Sequence, residues 1–118
     1  MPSRNYRDLI AWQKAMDLAA AVYAAKDALP STERFGLSSQ MRRAAVSIPA
    51  NIAEGQGRTT RGEFRNQLSA AHGSVRELET HVMLAERLHF LSRDCAKELL
   101  ERLAEIGRLV TGLAKSNL

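Results

Sequence analysis

Residues 64–85, FRNQLSAAHGSVRELETHVMLA, decide the fold. Phe64, Leu68, Ala71, Val75, Leu78, Val82 and Ala85 recur at alternating steps of four and three, the spacing that keeps one stripe of an α-helix turned toward its neighbours in a bundle. A strand would need alternation with a period of two, and no run of convincing length has it. Just upstream, Thr60-Arg61-Gly62-Glu63 has the form of a capping box, in which the two side chains satisfy two orphan backbone donors, so the helix is expected to start there and to end near His89.

Reading toward the C-terminus, Ser92 is a cap for a further helix with Asp94 in its first turn, and Ala96, Leu99, Leu103, Ile106, Val110 and Leu113 repeat the same spacing. The tail after Lys115 is expected to fray. Toward the N-terminus, a helix beginning at Ser38 or Ser39 has an apolar stripe of Leu37, Met41, Ala44, Ala45, Ile48 and Ile52, and Gly55 and Gly57 are expected to stop it. Pro49 lies inside it, removing one hydrogen bond and crowding the carbonyl of Ala45, which predicts either a kink or two shorter helices. A first helix is expected from about Asp8 to Ala28, with Leu9, Trp12, Met16, Ala19 and Tyr23 on its inner face. Short connectors make antiparallel neighbours the economical arrangement: an all-α, up-and-down four-helix bundle with its second helix kinked at Pro49. Leu18 and Val22, Ala70, Gly73 and Leu84, and Leu100 form second stripes beside the inward ones, which suit subunit packing or, alternatively, widely buried helices in one compact monomer.

At 118 residues the chain has the size of one domain, taken as residues 1–118, and its composition of 45% hydrophobic and 25% charged residues is that of a globular protein. The single cysteine, Cys95, excludes an internal disulfide framework, and no CxxC or Cys/His cluster supports a zinc site, so a reducing cytoplasm suits the chain. Met1 to Tyr6 lack a signal-peptide core, and no stretch approaches the roughly 20 apolar residues that span a bilayer. No membrane role is expected.

The net charge of +4 is unevenly placed. Residues 1–33 and 66–118 are each balanced, whereas Arg34, Arg42, Arg43, Arg58, Arg61 and Arg65 face only Glu54 and Glu63 in the segment between. Such a basic region attracts phosphate-bearing partners. Within the second helix Gln40, Arg43, Ser47, Asn51 and Glu54 form a polar stripe. Ser47 and Asn51 have two readings: partners for carbonyls freed by Pro49, or, with Arg43 and Glu54, part of a subunit contact or ligand pocket. Gly55-Gln56-Gly57-Arg58 lacks the preceding strand and the Gly-Lys-Ser/Thr ending of a phosphate loop. The start of the third helix, with Arg58, Arg61 and Arg65 nearby, is instead an anion site or a solvated charged face.

Glu86-Arg87-Leu88-His89 matches the Glu-x-x-His element of di-iron bundles, but those need two copies and two further glutamates. His72 and His81 have no carboxylate three residues before them, and all three histidines are expected at the surface. No cofactor, metal or catalytic constellation is implied, and Cys95 reads as a small packing residue.

Leu9-Ile10-Ala11-Trp12-Gln13-Lys14-Ala15, Phe35-Gly36-Leu37-Ser38-Ser39-Gln40-Met41-Arg42-Arg43-Ala44-Ala45, Ser47-Ile48-Pro49-Ala50-Asn51-Ile52-Ala53-Glu54-Gly55 and Gly73-Ser74-Val75-Arg76-Glu77-Leu78-Glu79 closely resemble the bacterial four-helix-bundle family encoded in intervening sequences of 23S ribosomal RNA genes. The resemblance covers about residues 6 to 110 in order. It implies a ring-shaped homopentamer related to the accessory variability determinant protein of diversity-generating retroelements, whose basic surface binds nucleic acid and a reverse transcriptase. Two functions are consistent with this. One is a non-enzymatic oligomer whose Arg42, Arg43, Arg58, Arg61 and Arg65 contact RNA or DNA phosphates, with Ser47, Pro49, Asn51 and Glu54 in structural or interface positions. The other is a protein-interaction scaffold without a nucleic-acid role.

Overall fold

The computed structural model describes residues 5–116, with the side chains of Lys26 and Asp27 left out. Expectations placed on residues 1–4 and on Asn117 and Leu118 lie outside the described residues. Four helices form: α1 (Ile10–Ala24), α2 (Leu37–Gln56), α3 (Arg61–Arg87) and α4 (Arg93–Lys115). Short 3-10 turns at Tyr6–Asp8, Ala25–Ala28 and Ser31–Glu33 flank the first helix and lead into the second. The long axis measures 48 Å against 24 and 19 Å across. α2 packs on α1 and α3, and α4 packs on α3 and α1, so the apolar stripes close around one core.

α3 and α4 follow their sequence pattern closely. All seven residues of the α3 stripe are buried, and Thr60 Oγ1 accepts the Glu63 amide at 3.1 Å. The stripe of α4 is buried from Ala96 to Val110 and half-buried at Leu113, and Ser92 Oγ accepts the Cys95 amide at 3.1 Å. α3 ends with His89 in the left-handed region at φ 63°. The amide of Phe90 donates to Ala85 O at 2.8 Å and that of His89 to Glu86 O at 2.9 Å, the paired bonds of a Schellman turn, in which glycine is the usual residue at this position.

α1 departs from its expected register. Its helix starts at Ile10, because Leu9 is extended, and its last turn tightens to 3-10 after Ala24. The buried face is Ala11, Ala15, Leu18 and Val22, whereas Met16 and Tyr23, expected inside, are each 45% exposed. The two stripes share the same spacing and differ by one residue, about 100° of rotation. The alanines permit the closer approach, so Leu18 and Val22 belong to the core rather than to a surplus stripe.

Two further expectations are corrected, and one of the two alternatives at Pro49 falls away. α2 begins at Leu37, not at a serine cap: its first amide donates to Glu33 Oε1 at 3.1 Å, and Ser38 is only 5% exposed. α2 is also one helix through Pro49 rather than two shorter ones, and Gly55, expected to stop it, lies within it. A Cβ on Gly55 would stand 3.1 Å from Gln67 Cβ and 3.2 Å from Phe64 Cδ1, so glycine serves the close approach of α2 and α3 there.

His81 is 9% exposed, not at the surface, and its Nδ1 has no hydrogen-bond partner. An unsatisfied buried polar atom costs about 1–3 kcal/mol. His81→Leu, close in volume and without that atom, is therefore expected to stabilise the fold by about 1 kcal/mol. Thermal unfolding followed by circular dichroism reads this directly, and a lowered midpoint would show that the imidazole is bonded in solution.

Candidate functional site

The basic segment is continuous in sequence but divided in space. A 20-residue helix such as α2 rises about 1.5 Å per residue, roughly 30 Å in all. Arg34, Arg42 and Arg43 therefore stand near its start, and Arg58, Arg61 and Arg65 stand around its end and the first turns of α3.

At the first end, Arg42 is half-buried and held on three sides. Its Nη1 donates to Ser38 Oγ at 2.6 Å and its Nη2 to Arg34 O at 3.4 Å, and its guanidinium carbon lies 6.0 Å from the Tyr23 ring centre. Arg34 sits over the ring of Phe35 at 5.2 Å, and that ring is 86% exposed. Arg43 is exposed and makes no ion pair or hydrogen bond among the described residues.

At the other end, Arg61 Nη2 donates to Ser116 O, and Arg65 Nε donates to Ala114 O at 3.3 Å. The last carbonyls of a helix have no amide partner within it. Two cations on those of α4 satisfy them and oppose the negative end of the helix dipole. This capping was not legible from sequence, because the partners are 55 and 49 residues apart. Arg58 is exposed and unpartnered among the described residues.

The polar stripe of α2 also divides. Asn51 Nδ2 donates to Ser47 O at 2.8 Å and to Ser47 Oγ at 2.9 Å, and Ser47 Oγ lies 2.8 Å from Ser74 Oγ on α3. A half-buried relay Asn51–Ser47–Ser74 thus crosses the α2–α3 seam. The carbonyl that Pro49 cannot serve is that of Ala45, so Asn51 meets a different carbonyl from the one the sequence points to. Pro49 is buried, Gln40 and Glu54 are exposed, and Arg43 and Glu54 form no ion pair.

The Glu86–His89 spacing does not place two ligands on one helix face, because His89 lies beyond the end of α3 in a left-handed turn. Among the described residues no three His, Cys, Asp or Glu side chains gather as a metal site requires. Cys95 is half-buried against the core. No helix among the described residues is long and apolar enough to cross a membrane.

The site therefore comprises guanidinium groups at both ends of α2 with no carboxylate partner for Arg34, Arg42, Arg43, Arg58 or Arg65 among the described residues. Comparison with known proteins agrees with the fold. The chain is similar to a crystal structure of a protein of unknown function from the S23 ribosomal protein family of Bacteroides thetaiotaomicron VPI-5482. The TM-score is 0.84 at 25% identity over 91% of this chain and 100% of that one. No curated protein matches. The family model of the 23S rRNA-intervening sequence protein matches residues 7–112. On that match over most of its length, the chain belongs to the 23S rRNA-intervening sequence protein family.

Proposed function

We propose that this protein is a non-enzymatic, cytoplasmic oligomer that binds the phosphates of RNA or DNA without reading their sequence. The observation that carries this reading is that Arg34, Arg42, Arg43, Arg58 and Arg65, along α2 and its corners, have no carboxylate partner among the described residues. A cation already paired to a carboxylate releases few counterions when it meets a phosphate; an unpaired one keeps the full effect. Arg42, Arg43 and Arg58 make the direct contacts. Arg61 and Arg65 add charge at the α2–α3 corner while holding the end of α4. The two groups stand about 24 Å apart along α2 at 1.5 Å per residue, a span of roughly seven base-pair steps of duplex DNA at 3.4 Å each.

Self-association multiplies this surface. Exposed Ile10, Met16 and Tyr23 on α1, and Met83 and Leu84 on α3 with Leu88 at its end, favour it, and the family resemblance points to a homopentameric ring of antiparallel bundles. The same exposed apolar groups support the second reading, a scaffold in which the arginines meet an acidic protein partner, with a reverse transcriptase as one candidate by resemblance.

The test is fluorescence anisotropy of a labelled mixed-sequence duplex at several salt concentrations. The wild type is expected to lose affinity steeply between about 50 and 200 mM salt. The double variant Arg43→Ala/Arg58→Ala removes side chains with no structural partner, and should flatten the log–log salt slope by roughly 2 as two phosphate contacts are lost. Absence of binding at low salt, or an affinity indifferent to salt, would move the assignment to the protein scaffold.

A further inference from the structure

A cleft of about 540 Å³ opens between the end of α1 and the start of α2, lined by Tyr23, Leu29, Ser31, Arg34, Ser38 and Arg42 among others. None of its lining residues among the described side chains is acidic. From this we infer that the cleft is a binding site for the phosphate group of a small phosphate monoester, anchored by Arg42.

Arg42 carries the argument. A guanidinium has five N–H donors, and the contacts of Arg42 engage two of them, with the neutral oxygens of Ser38 and Arg34. The other three donors have no partner among the described residues and, not being buried, stay available on a half-buried side chain whose charge meets no described carboxylate, so an arriving anion finds a fork ready to receive it. The group is also preorganised: the 5%-exposed Ser38 hydroxyl and the Tyr23 ring fix its plane before any ligand binds, which lowers the ordering entropy lost on binding. The nearest acid in sequence, Glu33, has its Oε1 on the Leu37 amide.

The remaining lining chooses among anions. Arg34 adds a second, exposed cation, and Ser31 and Tyr23 add neutral hydroxyl donors. Two cations with several donors suit a tetrahedral dianion better than a carboxylate, which one guanidinium fork satisfies. Leu29 and the Tyr23 ring give an apolar wall for the organic part of the ester, and the volume lies within the range of ligand pockets. This inference shares Arg42 with the backbone-binding reading but stands without it, because it needs one phosphate and no repeated contacts.

Isothermal titration calorimetry with inorganic phosphate, adenosine 5′-monophosphate and acetate tests it. Both phosphates are expected to bind at one site per chain, and acetate is expected to bind at least about tenfold more weakly. Arg42→Gln should weaken the monophosphate by about tenfold or more, and Arg42→Lys, which keeps charge but loses the fork, by several-fold. Should Arg42→Gln fail to fold, Arg34→Gln, at an exposed position, is expected to weaken binding by about threefold or more. Arg43→Ala/Arg58→Ala should bind the monophosphate as the wild type does, so loss of duplex binding in that variant tells the two readings apart. An oligonucleotide with and without a 5′-phosphate identifies the source of the ester. A preference for the phosphorylated end over adenosine monophosphate points to nucleic-acid termini, and equal affinity to a free metabolite. No binding of either phosphate at millimolar concentration, or affinities unchanged by Arg42→Gln and Arg34→Gln, overturns the assignment.

Discussion

Leu78→Ala is expected to cost about 3 kcal/mol of stability, within the 2–5 kcal/mol range for truncating a buried leucine. Leu78 is fully buried, lies midway along the stripe of α3, and belongs to the helix that packs on both α2 and α4. Its removal gives up the transfer free energy of the lost carbons and leaves a void that rigid helices on both sides cannot fill. Total stability for a domain of this size is about 5–15 kcal/mol, so the loss should lower the melting midpoint by roughly 10 °C. Urea unfolding of the purified variant provides the free energy. A loss below about 1 kcal/mol would mean that the layer around Leu78 repacks or is open to water.

Gly55→Val separates packing from propensity. Helix propensity alone favours valine over an interior glycine by several tenths of a kcal/mol. The α2–α3 seam reverses that sign, because the new Cβ would stand 3.1 Å from Gln67 Cβ, 3.2 Å from Phe64 Cδ1 and 3.4 Å from Phe64 O. None of these is the end of a flexible side chain, and the two γ-methyls of valine add further volume. The expected outcome is a loss of about 2 kcal/mol or more as the helices are forced apart. Gly73 supplies the internal comparison: a Cβ there meets nothing within 4 Å, so Gly73→Ala should gain about 0.5–1 kcal/mol. If both substitutions shift the urea midpoint in the same direction, close approach at Gly55 is not what fixes glycine there.

α3 and α4 were legible because each carries one apolar stripe, a side-chain cap and a polar remainder. A single stripe leaves only one way to turn the helix. α1 carries two stripes one residue apart, and periodicity cannot choose between them. The stripe of Leu9, Trp12, Met16, Ala19 and Tyr23 has the right spacing, yet the helix buries Ala11, Ala15, Leu18 and Val22 instead, because small residues let the backbone come close there. Gly55 looked like a helix end because glycine is a common stop signal, and its role in the α2–α3 seam shows only in the folded chain.

The candidate site was legible as charge and not as geometry. Composition locates the arginines, yet which of them hold structure depends on partners remote in sequence. Arg61 and Arg65 serve the end of α4, and Arg42 is fixed by Ser38 and Tyr23. The Asn51–Ser47–Ser74 relay is of the same kind: its α2 half is visible as i,i+4 spacing, and its α3 half only in the folded chain.

The order in which the helices neighbour one another bears on how the chain finds this structure. α1 with α2, α2 with α3 and α3 with α4 are each successive in the chain, and among the main helix pairs of the described residues the α1–α4 seam joins the most distant segments. Most of the loop-closure entropy is therefore spent in short steps, the topology that permits rapid folding. The exception is the docking of α1 on α4, which closes nearly the whole chain at once. That seam is where the largest entropy is regained on opening.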